Sequence, residues 1–413
     1  MNHLVLLSDN YPNSNGEFFL DDEINIISSK FEKITVLCVS KINNAKRAIP
    51  QNVQVIELPQ IGFFKRVLFR FQCLFFLPLW NEVISLKRVY GLSPNFLIFK
   101  ILVEDFVRSS IIMKALNQHK LIDPSKNILY SYWHDYKALA IARIRKKTGC
   151  PAIARCHRWD VYLYANTPPY LPYREYLLNT LSLTSSISMD GINYLRQVHN
   201  FNKPNKLVLS RLGKINNRDL HPFISASDVI TICSCSTLIS VKRVELIIDF
   251  IGSLSVYFKI KWVHFGDGIL NEKLHKLAEV SLTNIDYNFM GIVPNDEILN
   301  FYHVNFVDLF INFSESEGIP VSIMEAQSAG IPVLATNVGG TSEIVNNENG
   351  FLVEKDFDLK EVVTIIKRYL SSTNEEKQQK RNASYENWKQ NYNAETNYIE
   401  FVKLLTTHHQ LIK

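Results

Sequence analysis

The sequence predicts an α/β protein of two doubly wound, parallel-sheet domains. Three observations carry that prediction. The chain has 413 residues, room for two or three domains at roughly 100–200 residues each. Short runs of Val, Ile and Leu alternate with longer stretches of helical spacing. Continuous apolar runs of this kind mark strands covered on both faces, as in parallel sheets between helices. Finally, the runs form two series.

The first series is 4–7, 34–39, 53–58, 128–132 and 152–156. The second is 207–209, 229–233, 261–265, 307–313 and 332–336. The polar, Pro-containing NKPN at 202–205 separates them. The expected domains are therefore 1–205 and 206–385, with a terminal segment at 386–413. The tail from 375 to about 405 is polar with Tyr385, Trp388, Tyr392, Tyr398 and Phe401 interspersed, which fits one or two helices with a narrow apolar face. No internal repeat of solenoid length is present.

Apolar residues are 46% and charged residues 21% of the chain, which excludes disordered, collagenous and coiled-coil classes. The opening MNHLVLLSDNYP has no basic n-region and no small-residue cleavage site, so its apolar run reads as a buried strand and not a signal peptide. Six cysteines (Cys38, Cys73, Cys150, Cys156, Cys233, Cys235) are too sparse for a disulfide framework. Cys233 and Cys235 have no second pair to complete a zinc site, so buried reduced thiols and no metal are expected.

Charge is distributed unevenly. Residues 1–205 hold 25 Lys/Arg against 15 Asp/Glu, a net +10, and residues 206–413 hold 20 against 25, a net −5; together they give the chain's +5. A basic half predicts an anionic partner. No nucleic-acid-binding signature accompanies it, which favours a lipid surface over nucleic acid. Residues 61–80, IGFFKRVLFRFQCLFFLPLW, hold six Phe and one Trp beside Lys65, Arg66 and Arg70. The charges and Pro78 make it a poor spanning helix. It reads either as a buried helix with a basic edge or as an interfacial helix, with Phe63, Phe64, Phe69 and Phe75 in the acyl boundary.

The stretch 307–353 carries the chemistry: VDLFINFSESEGIPVSIMEAQSAGIPVLATNVGGTSEIVNNENGFLV. A buried strand leads into a polar turn with Gly318, then a helix from about Val321 ending at Gly330. A strand, a Gly-containing turn and a helix N-terminus together make an anion site, because free N–H groups and the helix dipole face the loop. Pro320 near the helix start loses nothing there, which leaves Val321 and Ser322 as phosphate donors. Glu317 and Glu325, seven residues apart, flank that site. Two carboxylates suit a ligand with hydroxyls at both ends of a diphosphate, such as a nucleotide sugar. By spacing alone the pair fits two solvated acids at a helix start better.

EGIPVSIMEAQSAGIPVLAT followed by VGGTSEIV closely resembles the signature of retaining, GT-B-fold glycosyltransferases of family four. Upstream, SCSTLISVKRVELIIDFI resembles the family's strand–loop–helix that brings a Lys, here Lys242, to the diphosphate. VHFGDGILNEKL resembles its GDG turn, and MGIVPNDEILNFY the strand and helix that follow. The amino-terminal half matches less densely. YPNSNGEFFLDDEI resembles the first loop, where a Gly, here Gly16, lets backbone approach the donor phosphate. ARCHRWDVY resembles a strand-end motif whose His, here His157, faces the donor and acceptor sugars.

The resemblance implies a GT-B fold with an interdomain cleft and a terminal helix crossing back to the first domain. It implies a metal-independent hexosyl transfer with retention. Glu317, His157 and Lys242 would be catalytic. Gly16, Arg243, Gly318, Val321, Ser322 and Glu325 would bind the donor, with Glu325 on the ribose. Arg158 and Asp160 would lie on the acceptor side. No cofactor is implied beyond a UDP- or GDP-sugar as co-substrate. The partners would be a glycan or lipid-linked acceptor and an anionic membrane surface, with no nucleic acid. The setting would be cell-surface polysaccharide or glycolipid assembly, in the cytoplasm or peripheral at the inner face of the cell membrane.

The sequence departs from the family pattern in two places. Thr237 stands where many members have an Arg five residues before Lys242, and Arg243 is the candidate replacement. Pro320 stands at the fourth position of the usual EGFG loop, a known variant. Four rival readings fit less well. A GT-B-fold epimerase needs no lipid-facing segment. A phosphorylase would need a pyridoxal-phosphate lysine motif, which is absent. A non-catalytic membrane scaffold would not need Glu317, Glu325, Lys242 and His157. A dinucleotide dehydrogenase is disfavoured because no G-x-G-x-x-G follows the first strand.

Overall fold

The computed structural model describes residues 3–13, 16–42, 47–218 and 228–410. The chain divides into two compact units, Met1–Leu212 with Ala394–Lys413, and Gly213–Asn393.

The first unit holds seven strands: β1 (His3–Ser8), β2 (Lys33–Cys38), β3 (Val53–Glu57), β4 (Asn127–Ser131), β5 (Ala152–Cys156), β6 (Leu183–Ser186) and β7 (Leu207–Leu209). They form one sheet in the order β3-β2-β1-β4-β5-β6-β7, with parallel pairing throughout. Seven helices lie between the strands: α1 (Phe19–Ser28), α2 (Phe63–Cys73), α3 (Leu77–Tyr90), α4 (Phe96–Gln118), α5 (Tyr136–Thr148), α6 (Arg174–Thr180) and α7 (Met189–His199).

The second unit has six strands: β8 (Val229–Cys235), β9 (Lys259–Phe265), β10 (Asp286–Phe289), β11 (Leu309–Asn312), β12 (Val333–Thr336) and β13 (Gly350–Val353). Their order is β10-β9-β8-β11-β12-β13, again all parallel. Its helices are α8 (Val244–Leu254), α9 (Asn271–Ser281), α10 (Asn295–Val304), α11 (Val321–Ser328), α12 (Thr341–Ile344), α13 (Leu359–Leu370) and α14 (Asn374–Asn391). The last helix, α15 (Ala394–Gln410), belongs to the first unit.

The central strands are apolar and buried along their length, as their Val/Ile/Leu runs require: β1, β4 and β5 in one sheet, β11 and β12 in the other. Helix ends carry the expected chemistry. Asn95, Asp135, Ser188 and Asp358 cap α4, α5, α7 and α13, and Thr373 with Glu376 forms a capping box on α14. All six cysteines are free, with only Cys235 not fully buried.

Four details differ from the sequence reading. The run 207–209 was placed with the second series, but it pairs with β6 and closes the first sheet. Pro204–Lys206 is a 3₁₀ turn that returns the chain to that sheet's edge, so NKPN is a connection inside the first unit. β6 went unnoticed because its sequence is LTSS, polar yet fully buried. The terminal segment divides near Tyr392, with 386–391 finishing α14 and α15 docking on the first unit beside α1.

That docking has a clear cause. Tyr398, Phe401 and Leu405 are fully buried. Phe401 lies 5.1 Å from the ring of Tyr130 and 4.1 Å from the guanidinium of Arg155. Arg155 in turn pairs with the buried Glu23 of α1 at 2.8 Å, so the helix covers a cation with aromatic faces.

Each sheet has one point where the strand order reverses, between β1 and β4 and between β8 and β11. In open α/β sheets ligands bind outside the carboxyl ends of the strands at this switch point. The loops after these strands are where function is sought.

Candidate active site

In the second unit the loops after β8 and β11 meet. The N–H of Glu315 bonds the carbonyl of Val241 at 2.8 Å. This brings Lys242, from the 3₁₀ turn Ser240–Lys242, against Glu317, with Nζ 2.5 Å from Oε1. Asn312, the last residue of β11, donates to the same oxygen at 3.4 Å. Burial disfavours the charge on Glu317, but Lys242 and hydrogen bonds from Lys242, Ser314 and Asn312 outweigh it and hold the carboxyl below its usual range. Glu317 is buried, which removes the reading of a solvated helix-start acid.

Gly318 follows, and its carbonyl accepts from Gly340 at 2.8 Å, tying this loop to the one after β12. Thr336 supports the same loop by donating to the carbonyl of Ser314 at 2.5 Å. Pro320 caps α11. The first bonds of that helix run from Ile323 and Met324 to the carbonyl of Pro320. Val321 and Ser322 precede them, so their N–H groups lie outside the helical ladder, at the positive end of its dipole. Glu325 sits one turn into α11 and is buried. Its Oε1 accepts from Asn295 of α10 at 2.5 Å and lies 3.9 Å from Nζ of Lys214.

Lys214 and Asn295 were missed in the sequence. Each reaches Glu325 from far along the chain; Lys214 sits in no motif, and Asn295 lies within MGIVPNDEILNFY, where nothing singles it out. Arg243 follows Lys242 at the start of α8. Its backbone takes a left-handed φ of 47° between the turn and α8. Its guanidinium clamps main chain, with Nε on the carbonyl of Phe313 at 2.6 Å and NH1 on that of Lys355 at 2.9 Å. It braces the two loops, while its buried NH2 makes no hydrogen bond among the described residues.

The GDG turn has a packing role. A Cβ on Gly266 would lie 2.0 Å from the carbonyl oxygen of Ser236, and one on Gly268 would lie 2.5 Å from that of Leu238. Only glycine lets this turn back the 236–239 loop that leads to Lys242.

In the first unit the loops after β1, β4 and β5 carry the candidates. Gly16 adopts φ 83°, as glycine allows. Beside it, Glu17 was missed. Its carboxylate takes the N–H groups of Asp9, Asn10 and Tyr11 at 3.1, 2.7 and 2.8 Å, and Nε1 of Trp133 at 2.7 Å. A ring of N–H groups after the first strand is an anion nest, and here the protein's own carboxylate fills it. The acid directly after the loop glycine was the available signal.

His157 follows β5 with its ring against Tyr132 and Trp133, at centroid distances of 4.6 and 4.5 Å. Both ring nitrogens are buried and make no hydrogen bond among the described residues. Asp160 does not face outward. Its two oxygens accept the N–H groups of His157 at 2.6 Å and His134 at 2.8 Å, joining the ends of β5 and β4. Burial works against its charge, but His157, Arg174 and the N–H of His134 hold its carboxyl below the usual range. Arg158 is half-buried, and its carbonyl takes the N–H groups of Val161 and Tyr162 in the same turn. Among the described residues no group of three His, Cys, Asp or Glu side chains is placed to hold a metal.

Residues 217–386 match the family model described as glycosyl transferases group 1. The O-antigen biosynthesis glycosyltransferase WbnH of Escherichia coli is 36% identical over 117 residues, covering 28% of this chain and 31% of that protein. An uncharacterized glycosyltransferase of Methanocaldococcus jannaschii is 26% identical over 247 residues, covering 57% and 64%. The chain thus spans under a third of the length of the first curated relatives it matches. Anabaena HepE, solved in complex with UDP and glucose, superposes with a TM-score of 0.66 at 14% identity, over 98% of this chain and 100% of that one. Sucrose-phosphate synthase of Thermosynechococcus elongatus gives 0.72 at 14%, over 100% and 99%. The two parallel sheets with flanking helices are the two-domain α/β GT-B fold of these neighbours.

Proposed function

We propose that this chain is a glycosyltransferase of the retaining, metal-independent kind. It moves a sugar from a UDP- or GDP-sugar to a glycan or lipid-linked acceptor, in cell-surface polysaccharide or glycolipid assembly, at the cytoplasmic face of a membrane. The observation that carries the reading is the pairing of the half-buried Lys242 with the buried Glu317 at the switch point of the second sheet, directly ahead of the N-terminus of α11. The group 1 match over 217–386 and the names of the relatives support it. The UDP held by HepE supports a UDP-sugar.

The roles follow from charge. The bond between the sugar's anomeric carbon and the diphosphate breaks with its electron pair on the phosphate oxygen. Negative charge grows there, and Lys242 with the N–H groups of Val321 and Ser322 meets it. Charge placed where charge develops stabilises the transition state more than the ground state. Glu317, released from Lys242 as the diphosphate takes that cation, accepts hydroxyl hydrogen bonds of the moving sugar. Glu325 does the same for the ribose. His157 offers its two ring nitrogens to sugar hydroxyls, with Asp160 fixing the backbone that carries it. Gly16 shapes the first loop.

The test is a thermal-shift panel of UDP-, GDP-, ADP- and dTDP-sugars on the full chain. A nucleotide sugar at 100 times its Kd stabilises by about 2.7 kcal/mol. One nucleotide class should raise the transition in the wild type and not in Lys242→Ala. A panel without any shift overturns the reading.

A further inference from the structure

We propose that α2, α3 and the start of α4 form a surface that lies flat on an anionic lipid bilayer. The inference rests on the membrane-face reading above and names the surface that makes the contact.

The packing of these helices is inverted. A helix of a soluble unit normally buries its apolar stripe. In α2, Phe64, Val67, Leu68 and Phe71 recur at three- and four-residue steps and form one face. All four are exposed, Phe64 by 88%. The one buried residue of α2, Cys73, lies half a turn away on the opposite side. The stripe continues through the bend that follows, where Leu74 and Phe75 are exposed and the carbonyl of Leu74 accepts from Trp80 Nε1 at 2.8 Å. In α3, Leu77, Trp80 and Ile84 are exposed while Leu79, Glu82 and Leu86 on the other side are buried. In α4, Phe96 is 82% exposed and Leu97 is exposed, while Ile98 and Leu102 enter the core. Scattered apolar residues on a surface are ordinary, but three consecutive elements with apolar faces outward mark an interaction site.

Charge selects the occupant. Lys65, Arg66, Lys87, Arg88 and Lys100 are exposed around the patch. The one carboxylate between residues 61 and 100, Glu82, is buried. Arg70 is held by Glu104 at 2.7 Å, and Arg88 lies 3.8 Å from Glu175. Anionic headgroups meet such a rim favourably. A second copy would oppose the same cations to themselves. Among the described residues no single helix is long and apolar enough to cross a membrane, and α2 and α3 meet at a 62° bend. Their inner faces are anchored in the core of the unit through Cys73, Leu79, Leu86 and Ile98. The surface therefore rests in the interface. Phe69, expected among the lipid-facing residues, is half-buried on the inner side of the stripe and is not part of it.

Vesicle sedimentation of the full chain tests this. The probes are phosphatidylcholine vesicles with and without phosphatidylglycerol. The wild type should bind the anionic vesicles far better than the neutral ones. Lys65→Glu/Arg66→Glu should lose at least about fivefold in partitioning per cation removed. Phe64→Ser/Leu68→Ser/Phe71→Ser should lose about a hundredfold. These positions are exposed, so circular dichroism should stay unchanged. Lys242→Ala should bind vesicles like the wild type, which separates this surface from the proposed reaction. Equal binding to neutral vesicles, binding indifferent to either variant, or no binding overturns the proposal. So does a wild-type dimer in size exclusion that the Ser variant converts to monomer.

Discussion

Replacing Lys242 by Ala should cost stability as well as activity, and the cost should depend on pH. The side chains of Lys242 and Glu317 are 22% and 8% exposed. Removing one partner of a fully buried pair costs about 3–5 kcal/mol, because a charge is left in a poor solvent. Lys242 retains some water, and Asn312 and Ser314 still reach Glu317. The expected loss at neutral pH is therefore about 2–3 kcal/mol. In a unit of this size that lowers the transition by about 5–10 °C. The sign with pH follows from Glu317. In the wild type its folded value lies below the unfolded 4.5. Its contribution is thus present above that unfolded value and is lost as pH falls through the folded one. Without Lys242, burial dominates and raises the folded value, so the variant regains stability as the carboxyl takes up a proton. The gap between wild type and variant should be widest near pH 7.5 and narrow toward pH 4.5. Adding Glu317→Gln to Lys242→Ala should restore more than half of the loss at neutral pH. Scanning calorimetry at several pH values reads all of this. An equal loss at every pH, or no recovery in the double variant, would refute the reasoning.

Three further outcomes are expected. Glu325→Ala should raise KM for the donor by about 10–100-fold, the worth of charged hydrogen bonds remote from bond breaking, and leave kcat nearly unchanged in steady-state kinetics. Gly268→Ala should force the 236–239 loop away from a Cβ 2.5 Å from its backbone; thermal melting and donor affinity should fall together, by about 1–3 kcal/mol in stability. Asp160→Asn should lose about 1–3 kcal/mol in urea unfolding, because an amide offers one acceptor where two main-chain N–H groups need two. Asp160 has a depressed folded value, so that loss should be full above pH 3.8 and fade as pH falls below it.

Much of this architecture was legible because burial on both faces forces a strand to be apolar throughout. β1, β4, β11 and β12 announce themselves in that way. Where that rule does not apply, the sequence was silent. β6 is LTSS, and β10 at a sheet edge is half-exposed DYNF. Leu207–Leu209 looks like the start of a new series, because three apolar residues after a Pro do not say which sheet they join. The site shows the same limit. Glu317, Gly318, Val321 and Glu325 lie within one strand–turn–helix, so their relation was readable from the local motif. The partners that set their chemistry come from elsewhere: Lys242 is 75 residues from Glu317, and Trp133 is 116 from Glu17. For Arg243 the sequence gives the charge beside Lys242 but not the two carbonyls that it also braces. In α2 the apolar period was visible, but which way its face pointed depends on Cys73 and the core beneath it.

Transfer of a sugar from a nucleotide sugar with retained configuration is the core of the proposed function. It can be tested without knowing the acceptor, because water can take that place slowly. Proton NMR of the full chain with the donor found by the thermal-shift panel should show nucleoside diphosphate and free sugar appearing together. The first sugar formed, before mutarotation, should carry the donor's own anomeric configuration, and Lys242→Ala should release it about 10²–10³-fold more slowly. A first product of opposite configuration, or release at an unchanged rate in Lys242→Ala, would contradict the account.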